Sequence, residues 1–187
     1  MQNKLRIIGG EWRSRVISFD DLPDLRPTPA RVRETLFNWL QEDIIGSRCL
    51  DLFSGSGALG FEAASRGAKS VTLVENNPQA CRKLRANIEL LKATQVKVQS
   101  WEVMRFLAGD SEQYHLVFLD PPFANNCTVE VCHALEDHGW LQQNAKIYVE
   151  TPAQLALQGL PANWQIIRHK TAGDVGYHLL TRSSPGV

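Results

Sequence analysis

Apolar positions along the chain switch between two periods, and each switch marks the start of a new element. Near the beginning, alternation predicts two short strands, Leu5–Ile8 and Arg13–Ser18, turning at Gly9-Gly10. Apolar residues then recur as Val32, Leu36, Trp39 and Leu40, the i, i+4, i+7, i+8 spacing of a helix with one buried face. Ahead of them, Thr28 offers an N-cap and Pro29 a first helical residue, so this helix is expected to run to about Gln41. Short apolar runs next alternate with helical stretches. The runs predict strands around Cys49–Phe53 and at Ser70–Val74, Val96–Gln99, Leu116–Leu119 and Lys146–Glu150. Helices are expected over 58–66, Pro78–Lys92, Val103–Leu107 and Cys127–Asp137. Trp164–Lys170 and Val175–Thr181, joined by Thr171-Ala172-Gly173-Asp174, close the chain as a hairpin. Strands alternating with helices need a parallel sheet covered on both faces, and the final hairpin adds a reversed edge strand. The expected fold is α/β: a doubly wound, Rossmann-like, mostly parallel seven-stranded sheet with an antiparallel terminal hairpin, plus a small N-terminal β-hairpin. Residues 1–24 read as a basic hairpin extension and linker, 25–187 as the main domain, and Ser183–Val187 as a frayed tail.

Composition changes this picture only locally. The 187 residues, 43% hydrophobic, suffice for one well-buried domain. Equal numbers of acidic and basic side chains leave no global field that would point to a nucleic acid or a membrane. Residues 1–33, however, carry seven Lys/Arg against four Asp/Glu. Lys4, Arg6, Arg13 and Arg15 decorate the first hairpin beside Trp12, and Arg26 and Arg31 gather at the entrance of the following helix. Cations interleaved with an aromatic suit a phosphate backbone and a stacked base, and equally suit an ordinary solvated face. Cys49, Cys81, Cys127 and Cys132 form neither a metal-ligand spacing nor a disulfide framework, and the five histidines share no interpretable spacing. No long apolar span is present. A cytoplasmic, metal-free monomer is expected, with no membrane partner.

The chemistry gathers at strand ends, where open parallel sheets bind their ligands. After Cys49–Phe53 comes Gly55-x-Gly57-x-x-Gly60, a tight strand-to-helix turn whose backbone N–H groups lie open to a ligand. With Glu75 at the end of the next strand, it matches the dinucleotide fingerprint, so a dehydrogenase is one reading. Asp51 interrupts the strand early, however, and Phe53 and Ser54 intervene before Gly55, which a dinucleotide site does not usually show. Glu75 has two acceptor oxygens for adjacent ribose hydroxyls. The fourth strand of the main sheet runs into Asp120-Pro121-Pro122-Phe123. The exocyclic amine of a nucleobase is a poor nucleophile, because its lone pair is delocalised into the ring. The Asp120 carboxylate and the Pro121 carbonyl can both accept from that amine and free the lone pair, while Pro121 and Pro122 stiffen the turn. Phe123 offers a face for an extruded base. The Asp120 carboxyl is expected to stay ionised at neutral pH, its reference pKa being about 4.

The segments RPTPARVRETLFNWL, LDLFSGSGALGFEA, DPPF and the late GW-L-x-x-x-A-x-IYVE run together resemble a bacterial family of S-adenosylmethionine-dependent, small-subunit rRNA guanine-N2 methyltransferases, over nearly the whole length. The resemblance implies that S-adenosylmethionine is the cofactor. Asp51, Gly55 and Gly57 would hold its methionine part, Glu75 its ribose, and Glu102 with Val103 its adenine, while Thr28 and Arg33 would close over it. It further implies methylation of one guanine of 16S rRNA, within an assembled or assembling small ribosomal subunit. Three other readings stay open beside the dehydrogenase. A DNA adenine-N6 methyltransferase shares the tetrad but commonly carries a recognition domain for which 187 residues leave little room. A protein-glutamine methyltransferase typically has asparagine in place of Asp120, and a non-enzymatic RNA-binding module needs neither the glycine turn nor Asp120.

Overall fold

A computed structural model describes residues 2–23, 25–122 and 127–183. In chain order the elements are β1 (Gln2–Arg6), β2 (Val16–Asp20), α1 (Ala30–Trp39), β3 (Arg48–Asp51), α2 (Ala58–Ser65), β4 (Ser70–Val74), α3 (Pro78–Leu91) and β5 (Val96–Gln99). They continue as α4 (Val103–Leu107), β6 (Tyr114–Leu119), α5 (Thr128–Asp137), β7 (Leu141–Pro152), β8 (Trp164–Ala172) and β9 (Val175–Arg182). β1 and β2 form a small antiparallel sheet. The other seven strands form one sheet in the order β5-β4-β3-β6-β7-β9-β8, parallel from β5 to β7.

Burial sets where each strand sits. On β6, Leu116 and Phe118 face the core under α1–α3, while Val117 and Leu119 face the core under α4 and α5. Such a strand, apolar on both sides, has to be central. The reversed strand was expected at the edge and is instead β9, which lies between β7 and β8 and is antiparallel to both. Tyr177, Leu179 and Leu180 give β9 a side chain to bury on either face, whereas β8 carries Arg168, His169 and Lys170 and is exposed along most of its length. Charged side chains suit an edge, where they deter pairing with another chain.

The N-terminal hairpin differs from its expected boundaries, and the cause lies in α2. Its ladder pairs Gln2–Arg6 with Val16–Asp20, so the connection occupies 7–15 and not only Gly9-Gly10. Within it, the N–H groups of Ile8 and Gly9 donate to the Glu62 carboxylate at 3.0 and 2.8 Å. Those of Glu11 and Trp12 donate to the Ser65 carbonyl and hydroxyl at 2.7 and 2.9 Å. Donors that a longer ladder would have used are thus taken by α2. Glu62, fully buried, also meets Arg33 at 3.2 Å and Arg66 at 2.8 Å. Leu5, Ile7, Trp12, Ile17 and Phe19 join the same apolar core as α1, α2 and α3. Trp12 was expected among the cations on an RNA-facing surface. It is buried, because the hairpin lays that edge against α2.

Candidate active site

The strand order reverses between β3 and β6, which lie side by side although β4 and β5 intervene in the chain. That reversal opens a crevice at the carboxyl ends of the strands. One wall is the glycine turn after β3. Asp51, 2% exposed, accepts from Gly60 N at 3.2 Å, and its own carbonyl accepts from the Ser54 hydroxyl at 2.9 Å. Gly57 N donates to the Ser54 carbonyl at 2.7 Å, closing the turn. Gly57 has φ +79°, and a Cβ there would meet the Phe61 ring and Leu84 at 2.6–2.7 Å. It faces the interior. At Gly55, with φ +50°, a Cβ would meet nothing nearer than Leu25 at 3.6 Å, which makes it the open glycine of the three. Its N–H donates to Glu75 Oε2 at 2.9 Å, while Glu75 Oε1 accepts from Asn77 N at 2.8 Å. The carboxylate is thereby fixed at the end of β4, and each of its oxygens keeps a second lone pair for a ligand.

The opposite wall is the end of β6. Asp120 Oδ2 lies 3.4 Å from the Thr28 hydroxyl, which donates to it. Thr28 had been expected to cap α1. The helix begins after Pro29 with no side-chain cap, because the Thr28 hydroxyl turns into the crevice. Parallel register pairs Leu119 with Val149, which sets Asp120 beside Glu150 on β7. Tyr148 donates to Glu150 Oε1 at 2.7 Å. Burial, then the Glu150 charge, and further off Asp51, hold the Asp120 carboxyl well above the usual carboxylate range. The expectation of an ordinary, low-titrating Asp120 is therefore overturned: its neighbours were unseen because they come from β3 and β7. Burial lifts Asp51 as well, to about 7, with the Glu75 charge acting in the same direction. Of the rest of the tetrad, Pro121 is buried and Pro122 exposed, and Phe123 lies outside the described residues.

One residue expected at the cofactor is engaged elsewhere. Arg33 is 3% exposed and donates to the carbonyls of Thr28 and Arg6, both at 3.1 Å, as well as to Glu62. It ties the hairpin to α1 and α2. Glu102 stands after β5, and its two oxygens accept N–H groups of its own helix, Met104 at 3.0 Å and Arg105 at 2.9 Å. It caps the first turn of α4 and, like Glu75, keeps a second lone pair on each oxygen. Val103, the first residue of that helix, is buried beneath it. Sequence reasoning missed Glu150 and Tyr148 as site residues; both sit in the quoted IYVE run, but only the β6–β7 register brings them to Asp120.

Lys4, Arg6, Arg13, Arg15, Arg26 and Arg31 are all exposed. Lys4, Arg6 and Arg13, with Ser14, Ala30 and the flank of Arg33, line a hollow of about 440 Å³ between the hairpin and the start of α1. Arg15 leans the other way, donating to the Leu90 carbonyl of α3 at 2.9 Å. Among the described residues no cluster of His, Cys, Asp or Glu could hold a metal ion, and no helix is long and apolar enough to cross a membrane.

Comparison with known proteins converges on one family. The model of the family described as conserved hypothetical protein 95 matches residues 5–181. The chain is 46% identical over 183 residues to ribosomal RNA small subunit methyltransferase D of Escherichia coli, covering 98% of this chain and 92% of the relative. The protein of the same name from Haemophilus influenzae is 43% identical over 182 residues, covering 95% and 94%. Among solved structures, a putative methyltransferase from Escherichia coli superposes with a TM-score of 0.91 at 46% identity, covering 97% of this chain and 99% of that one.

Proposed function

The chain belongs to the conserved hypothetical protein 95 family, and we propose that it is a methyltransferase that uses S-adenosylmethionine to methylate the exocyclic N2 amine of a guanine in 16S rRNA of the small ribosomal subunit. The observation that carries this reading is the pairing of the open glycine turn after β3 with Asp120 after the adjacent β6. A group donor held by the first and an amine held by the second meet across one crevice.

The residues present fit that cofactor. Asp51, Glu75, Asp120 and Glu150 crowd one end of the sheet, and the raised Asp51 and Asp120 carboxyls record their mutual repulsion as well as their burial. A cationic sulfonium ligand relieves such repulsion. Gly55 leaves room for close approach, and Glu75 presents its remaining lone pairs toward ribose hydroxyls. When bound, S-adenosylmethionine supplies an electrophilic methyl group. The chain's part is to orient the amine: Asp120 and the Pro121 carbonyl accept its N–H groups, so the nitrogen lone pair turns toward the methyl. Phe123 is assigned the stacking face for the base. Lys4, Arg6, Arg13, Arg15, Arg26 and Arg31 are assigned to RNA phosphates, in the cytoplasm and with the protein acting as a monomer.

The test is methyl transfer from radiolabelled S-adenosylmethionine to free rRNA, small subunits, DNA and protein, followed by nucleoside analysis of the labelled product. The label is expected in small subunits as N2-methylguanosine. Label in N6-methyladenosine or in protein overturns the substrate reading.

A further inference from the structure

The reading above gives Glu150 only a share in the crowded charge of the crevice, although it is 5% exposed and stands beside the group that meets the amine. It is not a stray buried acid. Parallel register fixes it beside Asp120, the Tyr148 phenol donates to it at 2.7 Å, and the Thr28 hydroxyl donates to Asp120 at 3.4 Å. Tyr148 and Thr28 are themselves 1% and 4% exposed, so solvent does not screen this cluster. Two carboxylates in contact without a counter-cation repel strongly, and one proton shared between them removes the repulsion. Among the described residues no Lys, Arg or His forms an ion pair with either carboxyl.

We infer that Glu150 is a positioning residue for methyl transfer: it shares a single proton with Asp120, so that the two carboxyls act as one monoanionic acceptor for the amine. The inference rests on the amino-methyltransferase reading. It gives the proton of the reaction a place to go. As the nitrogen–carbon bond forms, the sulfur–carbon bond breaks and its electron pair stays on sulfur, leaving a neutral thioether. The nitrogen becomes cationic and passes one proton to Asp120. The pair goes from monoanion to neutral diacid and returns that proton to water after the product leaves. Burial, the largest cause that raises the Asp120 titration, makes the pair a stronger proton acceptor than a solvated aspartate.

Among the described residues three further titratable groups act on the pair. Asp51 on β3 adds negative charge, Tyr148 on β7 donates to Glu150, and Tyr177 on β9 adjoins Tyr148. The acid limb of the pH–rate profile is the step in which the monoanionic pair becomes a diacid. Tyr148→Phe removes a donor that stabilises the anionic pair, so that limb moves to higher pH. Glu150→Gln removes no charge at that limb, because the shared proton already neutralises one carboxyl there, so the limb stays near the parent's. What Glu150→Gln abolishes is the separate step at higher pH in which the shared proton leaves.

The experiment has two readouts. Single-turnover methylation of small subunits from pH 5 to 9 is expected to show the Tyr148→Phe limb displaced to higher pH and the Glu150→Gln limb close to the parent's. Carbon-13 NMR titration of side-chain carboxyls in the ligand-free protein is expected to show a step above the ordinary carboxylate range that disappears in Glu150→Gln. This second readout needs no substrate. If the carboxyls titrate independently in the ordinary range, or if the raised step survives in Glu150→Gln, the shared proton is overturned. If the paired step is present while small subunits accept no methyl group, the pair stands and the substrate reading falls.

Discussion

Gly55 and Gly57 stand two residues apart, and their surroundings assign them different work. A Cβ on Gly57 would lie 2.6 Å from the Phe61 ring, at a φ of +79° that alanine adopts only with strain. Gly57→Ala is therefore expected to cost about 2–4 kcal/mol, adding left-handed strain to overpacking, with a matching fall in the calorimetric melting temperature. A Cβ on Gly55 meets nothing closer than Leu25 at 3.6 Å, so Gly55→Ala should cost only the backbone term, about 1–2 kcal/mol. Its larger effect should be on S-adenosylmethionine affinity, because the added methyl stands on the open side of the turn. Equal effects of the two variants on affinity would show that Gly55 does not face the ligand. Asp51 supplies a pH test. Its folded-state pKa, about 7, lies above the ordinary 3.8, so the folded chain holds a proton that the unfolded chain has released. Stability from this group is full below about pH 4 and is lost as pH rises through about 7. Chemical denaturation of the ligand-free protein should weaken over that window, and Asp51→Asn should flatten the trend. A cationic ligand in the crevice favours the Asp51 anion. Binding near pH 7 is thus expected to release protons, read by calorimetry in two buffers of unlike ionisation enthalpy; no proton release would place the cation away from Asp51.

At the scale of elements, Glu62 joins the small hairpin to the large sheet. Its two oxygens accept from Ile8, Gly9, Arg33 and Arg66, all from a position with no solvent exposure. Glu62→Gln keeps the size but leaves the Arg33 cation buried without its partner. Breaking a buried pair in this way costs about 3–5 kcal/mol. Trp12 fluorescence should then report loosening of 7–15 before the sheet melts, and coincident transitions would show that the hairpin has no separate dependence on Glu62. The same element explains what the sequence could and could not disclose. β4, β5 and α4 fall on the expected residues, because each is bounded by local signals: apolar runs, and an acid or a proline at the edge. The crevice itself was legible for the same reason, since Gly55, Glu75 and Asp120 all follow apolar strands. The hairpin register was not, because its donors go to a helix more than fifty residues away. Arg33 read as a residue that closes over the cofactor, because its ion pair with Glu62 joins helices that the sequence does not show to be neighbours. Glu102 was placed on its strand end, but its second task, capping α4, was not foreseen. Asp120 was found from its prolines, but its titration depends on Glu150, thirty residues on and adjacent only through the sheet.

For the whole molecule, the zero net charge is a poor guide to its partner. At physiological ionic strength the Debye length is about 8 Å, so a phosphate feels the cations beside it and little of the compensating acids beyond. Lys4, Arg6 and Arg13 share one hollow with the start of α1, and Arg26 and Arg31 are exposed on the segment that leads into and begins that helix. Through Thr28 the same segment reaches Asp120. A phosphate backbone held along the hairpin and α1 would therefore run toward the amine acceptor, which links substrate binding to the crevice without any motion of the sheet. The triple variant Lys4→Gln, Arg6→Gln, Arg13→Gln tests this arrangement. Each lost phosphate contact should reduce the slope of log affinity against log salt by about 0.7–0.9, so the triple variant should flatten it by about 2. S-adenosylmethionine affinity should not change, because none of the three stands at the strand ends. Arg15→Gln is the internal comparison. Its guanidinium is drawn toward the Leu90 carbonyl on α3, away from the hollow, so its effect on the slope should be smaller than that of Arg13→Gln. Filter binding of small subunits across a salt series measures both. An unchanged slope in the triple variant would mean that the hairpin serves the fold through Glu62 alone, and that the RNA approaches the crevice from another side.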